Sequence, residues 1–318
     1  MTYIIAEVGS NHDGDLSTAL ELIQDAKESG CDAVKFQTYT AETLVSKTAE
    51  AMPQARRAGY ETQFERFKAL EFDQDQWQEI IDTCKKYHID FLTTCFDIEG
   101  LLKYAKNQKF IKIASGDLTY FKLLRAAAQT GKHVLLSTGM GSYKEIEEAA
   151  WHFQKDKLTV LHCVAAYPTP DIHANLNVIR ELQNTYKSVG YSDHTIGITA
   201  CLVAASMGVD VIEKHFSYNN TLDYGDHSVS VCRDEMTVLV REVRRIKAML
   251  GNQKPSDIEI NNRKILRRGA YVARPIMFGQ FISEADIIEL RPATKRKPHE
   301  LIGKRARKDY QELEPIDG

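Results

Sequence analysis

The 318-residue chain contains no uninterrupted apolar run long enough to cross a bilayer, so an ordinary transmembrane helix is excluded. It has no Cys-x-x-Cys pair. Its six cysteines (Cys31, Cys84, Cys95, Cys163, Cys201 and Cys232) are scattered, which argues against a disulfide framework and for reduced, packed thiols. Net charge is nearly absent, at −3 by formal count, so neither nucleic acid nor a membrane surface is an expected partner. The chain opens directly on a strand pattern, with no basic segment leading into an apolar one. No secretory signal is therefore expected, and the reading is a cytoplasmic protein. The turn after that first strand, Gly9 to Gly14, lacks the G-x-G-x-x-G spacing of a dinucleotide-binding sheet.

What is present is an alternation. Strand-like runs begin at Tyr3, Ala33, Asp90, Phe110, His133, Leu158, Ser188 and Val209, and amphipathic stretches such as Leu16 to Ser29 and Gln74 to Tyr87 separate them. Gly30 and Gly131 sit where helices would be capped. Eight βα units in series are what a closed parallel barrel requires, so the expected fold is α/β, a (β/α)8 barrel of the TIM type over residues 1–250. A polar stretch from Tyr39 to about Asp73, with one short helix near Glu61 to Leu70, is too long for a plain connection and reads as a lid over the barrel mouth. Residues 251–262 are expected to be a linker on their turn-forming composition. Residues 263–318 then form a small basic module, too short to build a large core of its own.

In a parallel barrel the carboxyl ends of the strands converge on one mouth. Here they bring Glu7, Asn11 and His12; Lys35 and Gln37; Thr93 and Thr94; Lys112, Ser115 and Asp117; Ser137 and Thr138. The later ends bring Tyr167; Ser192, Asp193 and His194; and Glu213 and His215. Two lysines among serines suit a phosphate. Two histidines beside carboxylates suit a divalent metal with positions open to substrate. Each residue alone has an ordinary structural use: a snorkelling lysine, a hydrogen-bonded core histidine, a turn serine. Glu213 could support His215 rather than bind anything, and His162, inside its strand, reads as a buried structural histidine. Polar groups at nearly every strand end are what separate uses would not produce together.

Ile4 to Asp15, Ala33 to Thr38, Ile111 to Gly116, Leu136 to Met140, Tyr167 to Pro170, Tyr191 to Thr195 and Ile212 to Phe216 resemble the sialic acid synthase family. The tail, Arg267 to Ala273 and Arg291-Pro292 through Leu301 to Ala306, resembles that family's antifreeze-like (SAF) module. The resemblance implies a transferase that condenses phosphoenolpyruvate with an N-acylated amino-hexose, giving a nine-carbon 2-keto sugar acid for cell-surface polysaccharide. N-acetylmannosamine is the default acceptor; diacetamido-hexoses leading to legionaminic- or pseudaminic-type acids are the alternative. It further implies that His194 and His215 hold a divalent metal, usually manganese, with magnesium or cobalt as alternatives. Lys35, Lys112, Ser115, Ser137 and Ser192 would hold phosphoenolpyruvate, with Gln37, Thr94 and Tyr167 lining the substrate site. Glu7, Asp117 and Asp226 would contact the sugar or manage protons. Arg291 would reach the acceptor across a domain-swapped homodimer. Asp117 stands where the family usually has glutamate, Ala165 where it has a polar residue, and Ala293-Thr294 where it has a glycine-containing turn. Two other readings are a Schiff-base aldolase using Lys35 or Lys112, and a sugar-binding paralogue without chemistry.

Overall fold

The computed structural model describes residues 1–251 and 254–316. Two compact units emerge, Met1–Gly251 and Asn252–Gly318. In the first, eight strands close into a parallel barrel in chain order: β1 (Tyr3–Gly9), β2 (Ala33–Thr38), β3 (Asp90–Cys95), β4 (Phe110–Ile113), β5 (His133–Ser137), β6 (Leu158–Cys163), β7 (Val189–Asp193) and β8 (Val211–His215). Closure is by β8 on β1, in a register that pairs Tyr3 with Val211 and Glu7 with His215. The expected strands are all there, though several stop one or two residues earlier than the sequence suggests.

The outer helices are α1 (Leu16–Glu28), α5 (Gln74–Tyr87), α6 (Ile98–Tyr104), α7 (Phe121–Gln129), α8 (Tyr143–Ala150), α9 (Val178–Thr185), α10 (Thr199–Ser206) and α11 (Arg233–Leu250). Several start on side-chain caps that satisfy the first free N–H groups: Asp15 for α1, Asp73 for α5, Asp97 for α6 and Ser142 for α8. Between β2 and α5 the long insertion forms three short helices, α2 (Ala41–Leu44), α3 (Pro53–Arg57) and α4 (Gln63–Ala69), where one was expected. A Thr62–Glu65 capping box starts α4, and an antiparallel bridge between Glu50 and Thr62 ties the insertion to itself.

Successive residues of a strand face opposite sides, and that alternation divides the barrel's contents. One cluster, Ile5, Ala33, Leu92, Leu135, Leu161 and Val211, fills the interior. A larger one, including Ile4, Val34, Phe36, Val134, Ile212 and the inner faces of the helices, packs outside the strands. Moving two residues along each strand from the interior cluster gives Glu7, Lys35, Thr94, Ser137, Cys163 and Glu213. The apolar layer is the floor on which the polar one stands.

The second unit contains α12 (Asp257–Leu266), a two-stranded antiparallel sheet of β9 (Gly269–Val272) and β10 (Ile287–Leu290), and α13 (Pro298–Leu301). Its core gathers Ala270, Val272, Ile276, Ile282, Leu301, Ala306, Tyr310 and Ile316. The expected linker over 251–262 is corrected here. Ser256 and Glu259 form a capping box that starts a helix at Asp257, and it runs into what was assigned to the module. Residues 252, 253, 317 and 318 lie outside the described residues. The Ala293-Thr294 departure has a local explanation. Thr294 Oγ1 accepts from Ala270 N–H at 2.9 Å and donates to the Arg296 carbonyl at 2.7 Å, bracing the turn after Arg291-Pro292. Among the described residues, no helix is long and apolar enough to cross a membrane.

Candidate active site

At the carboxyl rim of the barrel two buried ammonium groups share two buried carboxylates. Lys35 Nζ lies 2.8 Å from Glu7 Oε2, 3.6 Å from Glu213 Oε2 and 2.9 Å from Thr94 Oγ1. Lys112 Nζ lies 3.7 Å from Glu213 Oε1 and 3.3 Å from the Ile113 carbonyl. Ser192 donates to Glu213 at 2.9 Å, and Gln37 donates to Glu7 at 3.1 Å. Burial works to lift both acids, but the outcomes differ. Lys112 and Lys35 together outweigh burial at Glu213 and hold its carboxyl low. Glu7 has Lys35 alone, feels the negative Glu213, and is pushed up to about 7. One carboxyl is thus fixed as an anion while the other is poised to exchange a proton near neutrality. Asp117 is raised to about 6 by burial, with Lys112 opposing.

Beside this group stand the imidazoles of His194 and His215, ring centroids 5.2 Å apart, with Tyr167 4.0 Å over His194. His194 donates through Nδ1 to the Val164 carbonyl at 2.7 Å, which leaves the lone pair on Nε2. Burial opposes a proton on this ring, but Cys163 Sγ at 3.7 Å and the Val164 carbonyl outweigh it and draw the pKa upward. His215 is held neutral by burial, with a pKa near 3, and its Nδ1 is buried without a hydrogen-bond partner. Asp226 Oδ2 is 4.0 Å from that nitrogen.

These two rings fit a divalent cation: one nitrogen is oriented by a carbonyl and the other is orphaned, both imidazoles carry lone pairs, and carboxylates stand nearby. Among the described residues no group of three or more His, Cys, Asp or Glu side chains is placed to hold a metal ion. Ser137 Oγ and Asp117 Oδ2 are likewise buried without partners, and orphaned polar atoms are rare in a folded interior.

Thus Glu7, Lys35, Gln37, Thr94, Lys112, Ser192, His194 and His215 form one connected group, with Tyr167 and Asp226 at its edge. Ser115 accepts from Gly139 N–H at 3.0 Å, in the loop after β4. Arg291 is exposed in the second unit. Five residues from the strand-end inventory bond elsewhere, among them Asn11, which donates to the Phe216 carbonyl and to Ser230 Oγ. Thr93 bonds Thr38, Thr138 bonds the Leu161 carbonyl, and His12 stacks on Phe72. Asp193 points outward from the barrel to Lys214, 2.8 Å away, with neither side chain exposed. His162 is buried and bonded to the Ala174 carbonyl, the structural use expected of it.

Sequence reasoning missed Lys214 and the place of Cys163. Burial would raise the Cys163 thiol, yet His194, Ser115 and Lys112 bring it down, so it belongs to the site's electrostatics rather than to inert packing. The pleat held the signal for both. Cys163 is two residues beyond interior Leu161, and Lys214 is one residue out of phase with Glu213 and His215.

The sequence profile of the NeuB family matches residues 22–255. The chain belongs to the NeuB family. It is 37% identical to the N,N'-diacetyllegionaminic acid synthase of Campylobacter jejuni, across 99% of this chain and 98% of that one. It is 38% identical to the enzyme of the same name from Legionella pneumophila, across 94% and 88%. Among solved structures, the N-acetylneuraminic acid (sialic acid) synthetase of Leptospira borgpetersenii superposes with a TM-score of 0.73 at 36% identity, covering 83% of this chain and 92% of that one.

Proposed function

We propose that this protein condenses phosphoenolpyruvate with the aldehyde form of an N-acylated amino-hexose, producing a nine-carbon 2-keto sugar acid and inorganic phosphate. The observation that carries this reading is the meeting, on one barrel rim, of two buried ammonium groups, partnerless hydroxyl and carboxyl oxygens, and a pair of open imidazoles.

Lys35 and Lys112 match the charges of a phosphate and a carboxylate, with Thr94, Ser115, Ser137 and Ser192 as short hydroxyl partners. A divalent cation bound by His194 and His215, manganese by family resemblance, would supply Lewis acidity toward the acceptor's carbonyl oxygen. The methylene carbon of phosphoenolpyruvate forms a bond to the aldehyde carbon, whose oxygen takes up a proton. Water then adds to the former enol carbon and gives up a proton. Breaking the bond from that carbon to the phosphate oxygen releases phosphate and leaves the ketone. Glu7, with its pKa near 7, is suited to pass a proton in this sequence; Glu213 is held as an anion beside the developing positive carbon. Tyr167, Asp117 and Asp226 would flank the acceptor. The second unit is read as an SAF module whose Arg291 reaches the acceptor in a partner subunit, within a homodimer acting in the cytoplasm.

The test is phosphate release that requires both phosphoenolpyruvate and metal, measured across a panel of acylated hexosamines, with the product weighed by mass spectrometry. A pyruvate adduct trapped by borohydride, with activity surviving chelation, would instead establish a Schiff-base aldolase.

Gly139 offers a second test. A β-carbon there would stand 2.8 Å from Ser115 Oγ and 3.2 Å from Ser115 Cβ. Gly139→Ala is expected to displace that serine and raise the KM for phosphoenolpyruvate about fivefold or more, with the acceptor's KM little changed. Initial-rate kinetics in both substrates decide it.

A further inference from the structure

The turn between β1 and α1 grips the segment that carries Asp226. Asp13, in that turn, has φ +53°, a backbone region that L-residues other than asparagine and aspartate seldom take. Its carboxylate accepts three hydrogen bonds from the segment after β8. Tyr218 and Tyr224 donate to Oδ2 at 2.8 and 3.2 Å, and His227 Nε2 donates to Oδ1 at 3.2 Å. Burial works to raise this carboxyl, but the bonds from His227 and the two tyrosines outweigh it and hold it below the ordinary range. A carboxylate can only accept, so His227 Nε2 carries a proton, while its Nδ1 meets Ser217 Oγ at 2.7 Å. The His227 ring is fully buried, and the Tyr218 and Tyr224 rings stand edge-on to it at centroid distances of 5.4 and 4.9 Å.

Asn11, two residues earlier, secures Asp226 from the other side. Its Nδ2 donates to Ser230 Oγ at 2.9 Å, and Ser230 Oγ donates to the Asp226 carbonyl at 2.6 Å. Asp226 is thus fixed through its own carbonyl and through the side chain of the residue that follows it. Its Oδ2 comes to stand 4.0 Å from His215 Nδ1, the buried nitrogen that has no hydrogen-bond partner.

Barrel closure does not need this clasp, because β1 and β8 already pair directly from Tyr3 to Glu7. Nor does the segment place Asp226 by regular structure: from 217 to 230 it holds one three-residue turn of helix, His227–Val229, and is otherwise irregular. The placement therefore comes from side chains, and an uncommon backbone conformation at Asp13 is maintained to supply them. Resting on the synthase reading above, in which Asp226 flanks the acceptor, we infer that Asp13 and His227 are positioning residues for the acceptor, acting only through the carboxylate of Asp226. A flanking group that drifts by about 1 Å can lose up to about a hundredfold in rate, so such a clasp has a measurable effect on turnover.

The experiment is a double-mutant cycle on initial rates, with N-acetylmannosamine and a 2,4-diacetamido-hexose as acceptors and all rates taken well below the lowest melting temperature. Asp13→Ala is expected to lower kcat/KM about tenfold for each acceptor the wild type uses, and to move the KM for phosphoenolpyruvate less than about twofold. Asp226→Ala should show a larger loss of the same kind. In the Asp226→Ala background, Asp13→Ala should then cost less than about twofold, because the group it places is gone. Asp13→Asn, which suits the same backbone and keeps one acceptor oxygen for His227, should lose only about threefold; if Asp13→Ala does not fold, the cycle is run with Asp13→Asn under the same criterion. Losses that multiply across the cycle, an equal rise in the KM for phosphoenolpyruvate, or a lowered melting temperature with wild-type kinetics would overturn the positioning role and leave the synthase reading intact. Asp226→Ala with wild-type kinetics would do the same. Turnover of neither sugar by the wild type would overturn both.

Discussion

Alanine in place of His215 is expected to lower turnover by about a thousandfold or more while the barrel stays folded. The two halves of that expectation have separate origins. His215 Nδ1 has no hydrogen-bond partner in the protein, so removing the ring breaks no internal hydrogen bond at that atom. The void adjoins Tyr167, His194 and Asp226, a polar enough lining for water to enter, so the stability cost should stay near about 1–2 kcal/mol. On the proposed reading the functional loss would arise because one ring cannot hold the cation that His194 and His215 together would bind. Calorimetric titration with manganese should show affinity falling at least about a hundredfold, with circular dichroism and melting temperature nearly unchanged. Protons compete with the metal for these nitrogens, so wild-type affinity should also weaken as pH falls. Undiminished metal binding by His215→Ala, or full activity in metal-free buffer, would remove the imidazoles from that role.

Lys214→Met should have the largest effect on stability. Lys214 donates to Asp193 at 2.8 Å and to the Thr195 carbonyl, in a space where neither charged side chain is exposed. Asp193 also accepts from Tyr191 at 2.8 Å and from Thr195 N–H at 2.9 Å. Taking away the ammonium leaves a buried carboxylate uncompensated, at a cost of about 3–5 kcal/mol, or a melting temperature lower by roughly 10 °C. The paired change Asp193→Leu with Lys214→Met should recover most of this. The pH dependence has a definite sign. Burial acts to raise Asp193, but Lys214 and the hydrogen bonds outweigh it, so its folded pKa lies below the ordinary value. Its contribution is therefore complete above about pH 4 and is lost as pH falls through the depressed folded value. Without Lys214, burial dominates and the acid binds its proton more tightly when folded. The gap between variant and wild type is thus widest at neutral pH and narrows on acidification, as urea titrations at several pH values would record.

The same ion pair bears on the chemistry. Asp193 and Lys214 are register partners across β7 and β8, and each is the chain neighbour of one of the two site histidines, His194 and His215. The outward pair holds the two strands in the alignment that sets the imidazoles side by side, so metal affinity should fall together with stability.

Barrel closure was legible because the strand pattern repeated eight times and the polar ends repeated with it. The grouping of Lys35, Lys112, His194 and His215 was legible for the same reason: each stands within a strand-like run or at its end. What eluded the sequence was which face a polar residue takes. Asp193 and Ser192 are adjacent and equally polar, yet one turns outward to Lys214 and the other inward to Glu213. A one-residue difference in where a strand begins exchanges those fates. The helix at Asp257 was overlooked because Gly251 to Ser256 is rich in turn formers, and that composition masked the Ser256–Glu259 cap that starts a new element. The insertion was read as a loop with one helix because α2 and α3 are only four and five residues long, too brief for any periodicity to show.

Lys35 and Lys112 are already engaged by Glu7 and Glu213. An incoming anion therefore meets a salt that must change partners, and its affinity is a difference between two pairings rather than the full attraction of a bare cation. On the proposed reading, each arrival would loosen Glu7 and Glu213 from the ammonium groups that now pair with them.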